Sequence, residues 1–584
     1  MSLRSSLARM GWRPWHYALL LLVHAHFFQS DGLAAGHDML DVFYPWADAV
    51  RLSVLQYHQF PWWNPWAMSG QPLFADPGSV AVLMPDTLLI LAFGAVWGLR
   101  LTVLLYVFVG YEGARFLCRQ LFGDNPLARA ACVIPALIPP LALHYNEGHI
   151  VFVVFHLFPW LLALGLTWQR SAVRSVAFGV VIGCFLLSYI HYTVIMGFTI
   201  VGVVVIARFR GWRSPEAWGK AALVVCTALG ISLFHLGVAM TIVAQFPRTE
   251  TSHYPIVASL TDVVRTLIEP FQDRTLSAHI GDLGWWELGS YVGLPALLLA
   301  YEGFRRDGRR LWALYLGALL CLLLAWNNRD QLFPSYWLHF IPPWKNMLVI
   351  TRWSLFACFF LLVGAVHGLV MLRRRRPRLA VALALLVVAD LAFACHYAYQ
   401  KTFYVAQPPF GEMIGPPKTL ADSHWQTWAH ERQNLVSMGA VCSLLGYGLH
   451  PPARRHEGMP GYTGDYVGGK PVAVEFWSPS RFVLRGSPGD TLDLNINPSS
   501  YWIMNGQRLF PDYRTFEVDK PFLVKVPSGG RMEFVARDPN WVRFAVGQAV
   551  FLLAAVLLFL KLRKQSARLS RSDAHLADSA GMRP

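Results

Sequence analysis

The segment Gly36-His37-Asp38-Met39-Leu40-Asp41-Val42-Phe43-Tyr44-Pro45-Trp46 decides how this chain is read. It follows an apolar stretch at 13–29 and leads into Phe60-Pro61-Trp62-Trp63-Asn64-Pro65-Trp66, then Gly70-Gln71-Pro72-Leu73-Phe74-Ala75-Asp76-Pro77. Carboxylates are set among aromatic rings at the end of a membrane-length segment. If the segment starts as a helix, Asp38 and Asp41 are three residues apart and share a face. One can then take a proton while the other orients it or holds a cation. The same pattern also fits an interfacial helix capped by Asp38, with the tryptophans as an aromatic belt.

The surrounding composition places this segment in a membrane protein. Of 584 residues, 55% are hydrophobic and 15% charged, where a soluble globular chain carries roughly 25% charged residues. Lys+Arg number 50 against 35 Asp+Glu, a net charge of +15. The basic residues fall in short runs such as Arg373 to Arg376 between apolar segments, a topological signal rather than a nucleic-acid footprint. Seven of the eight cysteines lie in apolar stretches and only Cys442 in a polar region, without metal-ligand spacing. Phosphate-binding loops, nucleophile elbows and zinc-protease helices are absent, which takes ATP-driven pumps and the commonest hydrolases out of the front rank.

Apolar runs predict twelve crossings, near 13–29, 99–117, 130–145, 150–168, 175–189, 192–207, 219–245, 288–303, 311–326, 353–371, 379–398 and 542–561. With the N-terminus in the cytoplasm, 26 Lys and Arg fall on the inner side. The short outer loops hold eight: Arg51, Arg100, Arg248, Arg265, Arg274, Arg329, Lys345 and Arg352. The run 80–94 contains Pro85 and Asp86, and counting it as a crossing would invert every later basic cluster, so it reads as re-entrant or interfacial.

The predicted architecture is thus a polytopic α-helical membrane domain over 1–398 with a long first outward loop at 29–100. A periplasmic domain at 399–540 follows, then a last crossing at 541–562 and a basic cytoplasmic tail at 563–584, expected to be disordered. The second half of the outer domain reads as a β-sandwich, with strands at 472–476, 481–485, 491–496, 501–504, 515–518, 522–526 and 532–536. Asp390, inside the eleventh crossing, is an intramembrane carboxylate and so a functional candidate.

The ordered set of motifs in the first loop resembles that of the bacterial YfhO-like membrane proteins, which belong with the GT-C class of polytopic glycosyltransferases. The likeness continues at Gly148-His149, Glu287-Leu288-Gly289-Ser290-Tyr291-Val292-Gly293-Leu294, Pro342-Pro343-Trp344-Lys345 with Arg352, and the ending around Tyr501-Trp502, Asn505-Gly506 and Asp538-Pro539. It spans nearly the whole chain except 175–245 and 400–470.

The resemblance implies an inner-membrane enzyme of bacteria that moves a sugar from a polyprenyl-phosphate donor to a glycan, lipid or protein of the cell envelope on the periplasmic face. Asp38 is the expected general base, with Asp41 as its alternate. Arg352, Lys345 and His149 would clamp the phosphate, with His253 and Arg265 as lesser candidates. Glu147 and Glu287 would line the cavity, and His37, Tyr44, Trp46, Trp63 and Asn64 would contact substrate, the tryptophans by stacking on sugar faces. Each of these residues has a plain alternative as an interfacial anchor or packing group. Metal use is open: Asp38 and Asp41 can share Mg or Mn, but no third oxygen ligand is evident from spacing. The rival readings are a non-enzymatic transporter or flippase of lipid-linked glycans, an O-antigen ligase or polymerase, and a scaffold. No nucleic-acid partner is expected.

Overall fold

The computed structural model describes residues 13–28, 33–34, 38–67, 70–76, 78–79, 85–187, 192–209, 213–245, 259–272, 285–327, 330–338, 340–341, 344, 347, 349–400, 404–405, 418–420, 432–433, 435–437, 472–497, 499–509 and 522–579. Among these, six helices are long and apolar enough to cross a membrane: Pro85–Phe122, Pro126–Asn146, Pro215–Ile242, Ile350–Arg373, Pro377–Tyr399 and Trp541–Gln565. Four start at proline, whose missing N–H costs nothing in a first turn. Shorter apolar helices run over Ile150–Gly165, Ala172–Leu187, Val194–Arg208 and Trp312–Trp326. The expected segments 13–29 and 288–303 appear as helices of 11 and 14 residues, Arg13–Val23 and Leu294–Asp307.

A break inside the first long helix and two departures from the sequence reading have local causes. Gly94, at φ 86 and ψ 170, breaks the run Pro85–Phe122. The part before it, nine residues or about 14 Å at 1.5 Å each, is too short to cross a core of about 30 Å. The segment expected as one helix over 130–145 is instead Pro126–Ala131, a 3-10 turn at Ile134–Ala136 and Pro139–Asn146, because Pro135, Pro139 and Pro140 donate no backbone hydrogen bonds. The tail expected to be disordered continues the last helix to Ser579, over a stretch free of Gly and Pro.

Ile350–Arg373 is the central helix, 94% of its apolar window being covered by protein, whereas Trp541–Gln565 is covered over only 11% and lies at the rim. The helix Leu294–Asp307 packs along the central one, and Pro215–Gln245 packs between Ala172–Leu187 and the last helix.

The C-terminal β region contains a five-stranded antiparallel sheet in the order Gln507–Arg508, Trp502–Met504, Arg531–Ala536, Arg481–Arg485, Ala473–Ser478, and a separate antiparallel pair, Thr491–Leu494 with Phe522–Lys525. The strand expected at 515–518 lies outside the described residues. This sheet is seated on the first long loop. Trp502 packs edge to face on Trp63, Asn497 Nδ2 donates to the Gly70 carbonyl at 2.7 Å, and Gln59 Nε2 donates to Ser478 Oγ at 2.7 Å. In the stretch 400–470, whose structure the sequence left unassigned, Arg432 forms a buried ion pair with Asp48 of the loop helix Tyr44–Arg51 at 2.8 Å.

Candidate functional site

The helix Pro139–Asn146 ends at Glu147, and Gly148 turns the chain with φ 84, a conformation that any side chain would strain. That turn folds His149 back on the helix end, where its N–H donates to the His144 carbonyl at 2.9 Å. The two imidazoles meet through their Nδ1 atoms at 3.1 Å. Phe152, one turn on, stacks on His144 with centroids 3.7 Å apart.

The far side of His149 faces the first loop, its Nε2 lying 3.4 Å from Asp38 Oδ2. Asp38 precedes a single π-helical turn, Met39–Phe43, and its side chain makes no capping hydrogen bond, so the carboxylate is turned toward His149 rather than into the helix end. The π turn also changes the expected relation between the two carboxylates: i→i+5 bonding takes residues i and i+3 off a common face. The Asp41 side chain itself lies outside the described residues.

A second charged pair closes the other side. Arg352, at the foot of the central helix, donates from Nε to Glu287 Oε2 at 2.9 Å and from Nη2 to Glu287 Oε1. Its guanidinium carbon also stands 5.1 Å from the Phe152 ring centroid. Ligand atoms of His144, His149 and Glu287, all three buried, lie within 4.8 Å of one another. Asp38, His149, His144, Glu287 and Arg352 are therefore one network. Two imidazoles and a carboxylate are donors that suit a divalent cation such as zinc or manganese.

Burial pushes the His149 imidazole down to about 4, against the opposing pull of Asp38 and Glu287. At neutral pH it is uncharged, so if Nε2 carries the proton facing Asp38, Nδ1 accepts from His144. Burial also favours the neutral acid at Glu287, but the charge and hydrogen bonds of Arg352 outweigh it and hold that carboxyl well below the usual range.

The other expected residues are distributed as follows. Glu147 is half-buried, and its Oε1 accepts from Asn146 Nδ2 at 3.3 Å. Tyr44, Trp46, Trp63 and Asn64 are exposed by 1, 2, 0 and 0%. The expected sugar-stacking faces of Trp46 and Trp63 are thus packed against protein, and Asn64 Oδ1 accepts from the Trp66 N–H at 3.0 Å. His37, His253 and Lys345 lie outside the described residues, and Arg265 is on the exposed face of the helix Leu260–Ile268. Asp390 has a partner, Tyr291, whose hydroxyl donates to Oδ1 at 2.7 Å. The sequence reading missed His144, which it counted inside a crossing, although a histidine at membrane depth is itself a functional signal.

No protein-family profile and no curated protein matches the chain. Solved structures that it resembles include the arabinofuranosyltransferase AftD from Mycobacteria, at 17% identity and TM-score 0.42, over 67% of this chain and 27% of that one. ArnT from Cupriavidus metallidurans bound to undecaprenyl phosphate is 14% identical with TM-score 0.45, over 73% of this chain and 85% of that one. The archaeal oligosaccharyltransferase AglB from Archaeoglobus fulgidus, in complex with an inhibitory peptide and a dolichol-phosphate, is 13% identical with TM-score 0.38, over 73% and 64%. The chain spans about a quarter of the length of AftD.

Proposed function

We propose that this protein is a membrane glycosyltransferase that moves a sugar from a polyprenyl-phosphate donor to a cell-envelope acceptor, on the periplasmic side of a bacterial inner membrane. The observation that carries the reading is the approach of Asp38 to His149 beside the Glu287–Arg352 pair, at the ends of apolar helices. Asp38 is the base. It takes the proton of the acceptor hydroxyl or amine as that atom bonds to the anomeric carbon, and the bond from that carbon to the phosphate oxygen breaks, its electron pair leaving with the polyprenyl phosphate. His149 orients the carboxylate, as a base needs a fixed partner.

Arg352 is the cation for the phosphate. Held by Glu287 in a two-point ion pair, it is pre-positioned without a flexible search, and a guanidinium offers further N–H donors to phosphate oxygens. Where a divalent cation binds, His144, His149 and Glu287 would hold it, with Asp38 adjoining. It would supply positive charge to the leaving phosphate.

The test is release of polyprenyl phosphate by purified wild-type protein from a panel of polyprenyl-phosphate sugars, with envelope extract as acceptor. Release with sugar appearing on the acceptor supports the transferase. No release from any donor, with the protein folded, favours the transporter or scaffold readings.

A further inference from the structure

Beside the Glu287–Arg352 pair lies a cleft of about 410 Å³, a volume that takes in the solvent at its open mouth. Leu288 and Thr351, the residues adjoining the pair in sequence, contribute to its wall. Its polar lining comes from Asp262, Thr266, Ser290, Thr351 and Ser354, its aromatic lining from Trp326, and aliphatic side chains complete it.

We propose that this cleft seats a sugar ring, a reading that rests on the transferase function proposed above. The lining carries four hydroxyls, one carboxylate and no cation. A phosphate would require a cation, and a hydrocarbon chain would desolvate the carboxylate and hydroxyls of the wall without bonding them. A pyranose or furanose combines several O–H groups with an apolar C–H face, and an indole ring matches that face.

The hydrogen bonds already made within the cleft favour a ligand rich in donors. Ser290 Oγ donates to the Leu288 carbonyl at 3.1 Å and Thr266 Oγ1 to the Val263 carbonyl at 2.9 Å, which leaves both oxygens as acceptors. Asp262 holds the Ser259 N–H and hydroxyl through Oδ2 alone, at 2.8 and 2.7 Å, leaving Oδ1 to accept.

Thr351 supplies an independent observation. It is only 5% exposed, and among the described residues its Oγ1 has no hydrogen-bond partner. Buried hydroxyls are nearly always bonded. Thr351 is one of the residues that line the cleft, so a ligand seated there can supply the missing partner through a change of χ1 rotamer.

The ring belongs to the donor or to the acceptor, and binding experiments distinguish the two. The full chain in lipid nanodiscs is examined by saturation-transfer NMR against methyl glycosides of glucose, galactose, mannose and arabinofuranose. The expected result is transfer to the ring protons of at least one glycoside. That binding should be about tenfold weaker in Thr351→Val, the effect of one lost hydrogen bond, and restored in Thr351→Ser. It should be abolished by Ala325→Trp, which fills the cleft, in protein of wild-type folded yield. Displacement of the glycoside by an undecaprenyl-phosphate-linked hexose assigns the ring to the donor. Retention at saturating hexose carrier assigns it to the acceptor, and either supports the proposal. Absence of transfer to every glycoside, or wild-type binding in both Thr351→Val and Ala325→Trp, overturns it. Because binding is measured without turnover, glycoside binding by a protein that releases no carrier would refute the transferase and leave the sugar site standing.

Discussion

Trp63 of the first long loop and Trp502 of the C-terminal sheet are both fully buried and meet edge to face with ring centroids 4.9 Å apart. The loop that carries Asp38 is therefore clamped between the membrane helices and the sheet. Trp502→Ala opens a cavity the size of an indole, and core Trp→Ala changes cost about 3–5 kcal/mol. Thermal melting in detergent should show a lower Tm, and turnover should fall with it although Trp502 is far along the chain from Asp38.

The buried pair Asp48–Arg432 gives a second clamp, with side chains 0% and 4% exposed. Removing one partner strands a buried charge, at a cost of about 3–5 kcal/mol, while replacing both with apolar groups is far milder. Arg432→Met alone should lower the denaturation midpoint sharply, and Asp48→Leu with Arg432→Met should recover most of it. Equal loss in the single and double variants would show that the pair is not coupled.

Gly148→Ala places a side chain at φ 84, a strain of about 1–2 kcal/mol. The turn relaxes by moving His149. Displacements of about 1 Å at a catalytic group can cost 10²-fold in rate, so carrier release should fall much further than Tm. A variant with wild-type turnover would separate His149 from the reaction.

The pH dependence of stability has a definite sign. In the unfolded chain His149 titrates near 6.5, but in the fold only at about 4. As the pH falls through this window the unfolded state takes up its proton first, so stability declines from about 6.5 downward and stops declining from this cause below about 4. Glu287, held low, adds a further loss below its ordinary carboxylate range. Melting curves between pH 7.5 and 4 should show this slope, and His149→Gln should flatten its upper part.

Much of the helical part of the fold was legible in the sequence because membrane insertion writes it in long apolar runs, as in Pro377–Tyr399 against the expected 379–398. The strands were legible for a similar reason: Arg531–Ala536 alternates exposed and buried residues along its length. What hydropathy does not encode is local backbone detail, such as the π turn after Asp38 and the proline breaks between Pro126 and Asn146. The site was half legible. Asp38, His149, Glu287 and Arg352 stood out as polar groups at the outward ends of crossings, but the union of Glu287 with Arg352 across 65 positions is a tertiary fact. The tryptophans misled because one aromatic residue type serves both sugar stacking and core packing, and only burial tells them apart.

The central claim is that Asp38 is the base, and its most direct test is the rate of polyprenyl phosphate release by Asp38→Asn beside wild type and Asp41→Asn, each of confirmed folded yield. The account predicts a loss of about 10²–10⁴-fold in Asp38→Asn, the usual contribution of a general base, with donor binding retained. Release by Asp38→Asn at the wild-type rate would contradict it.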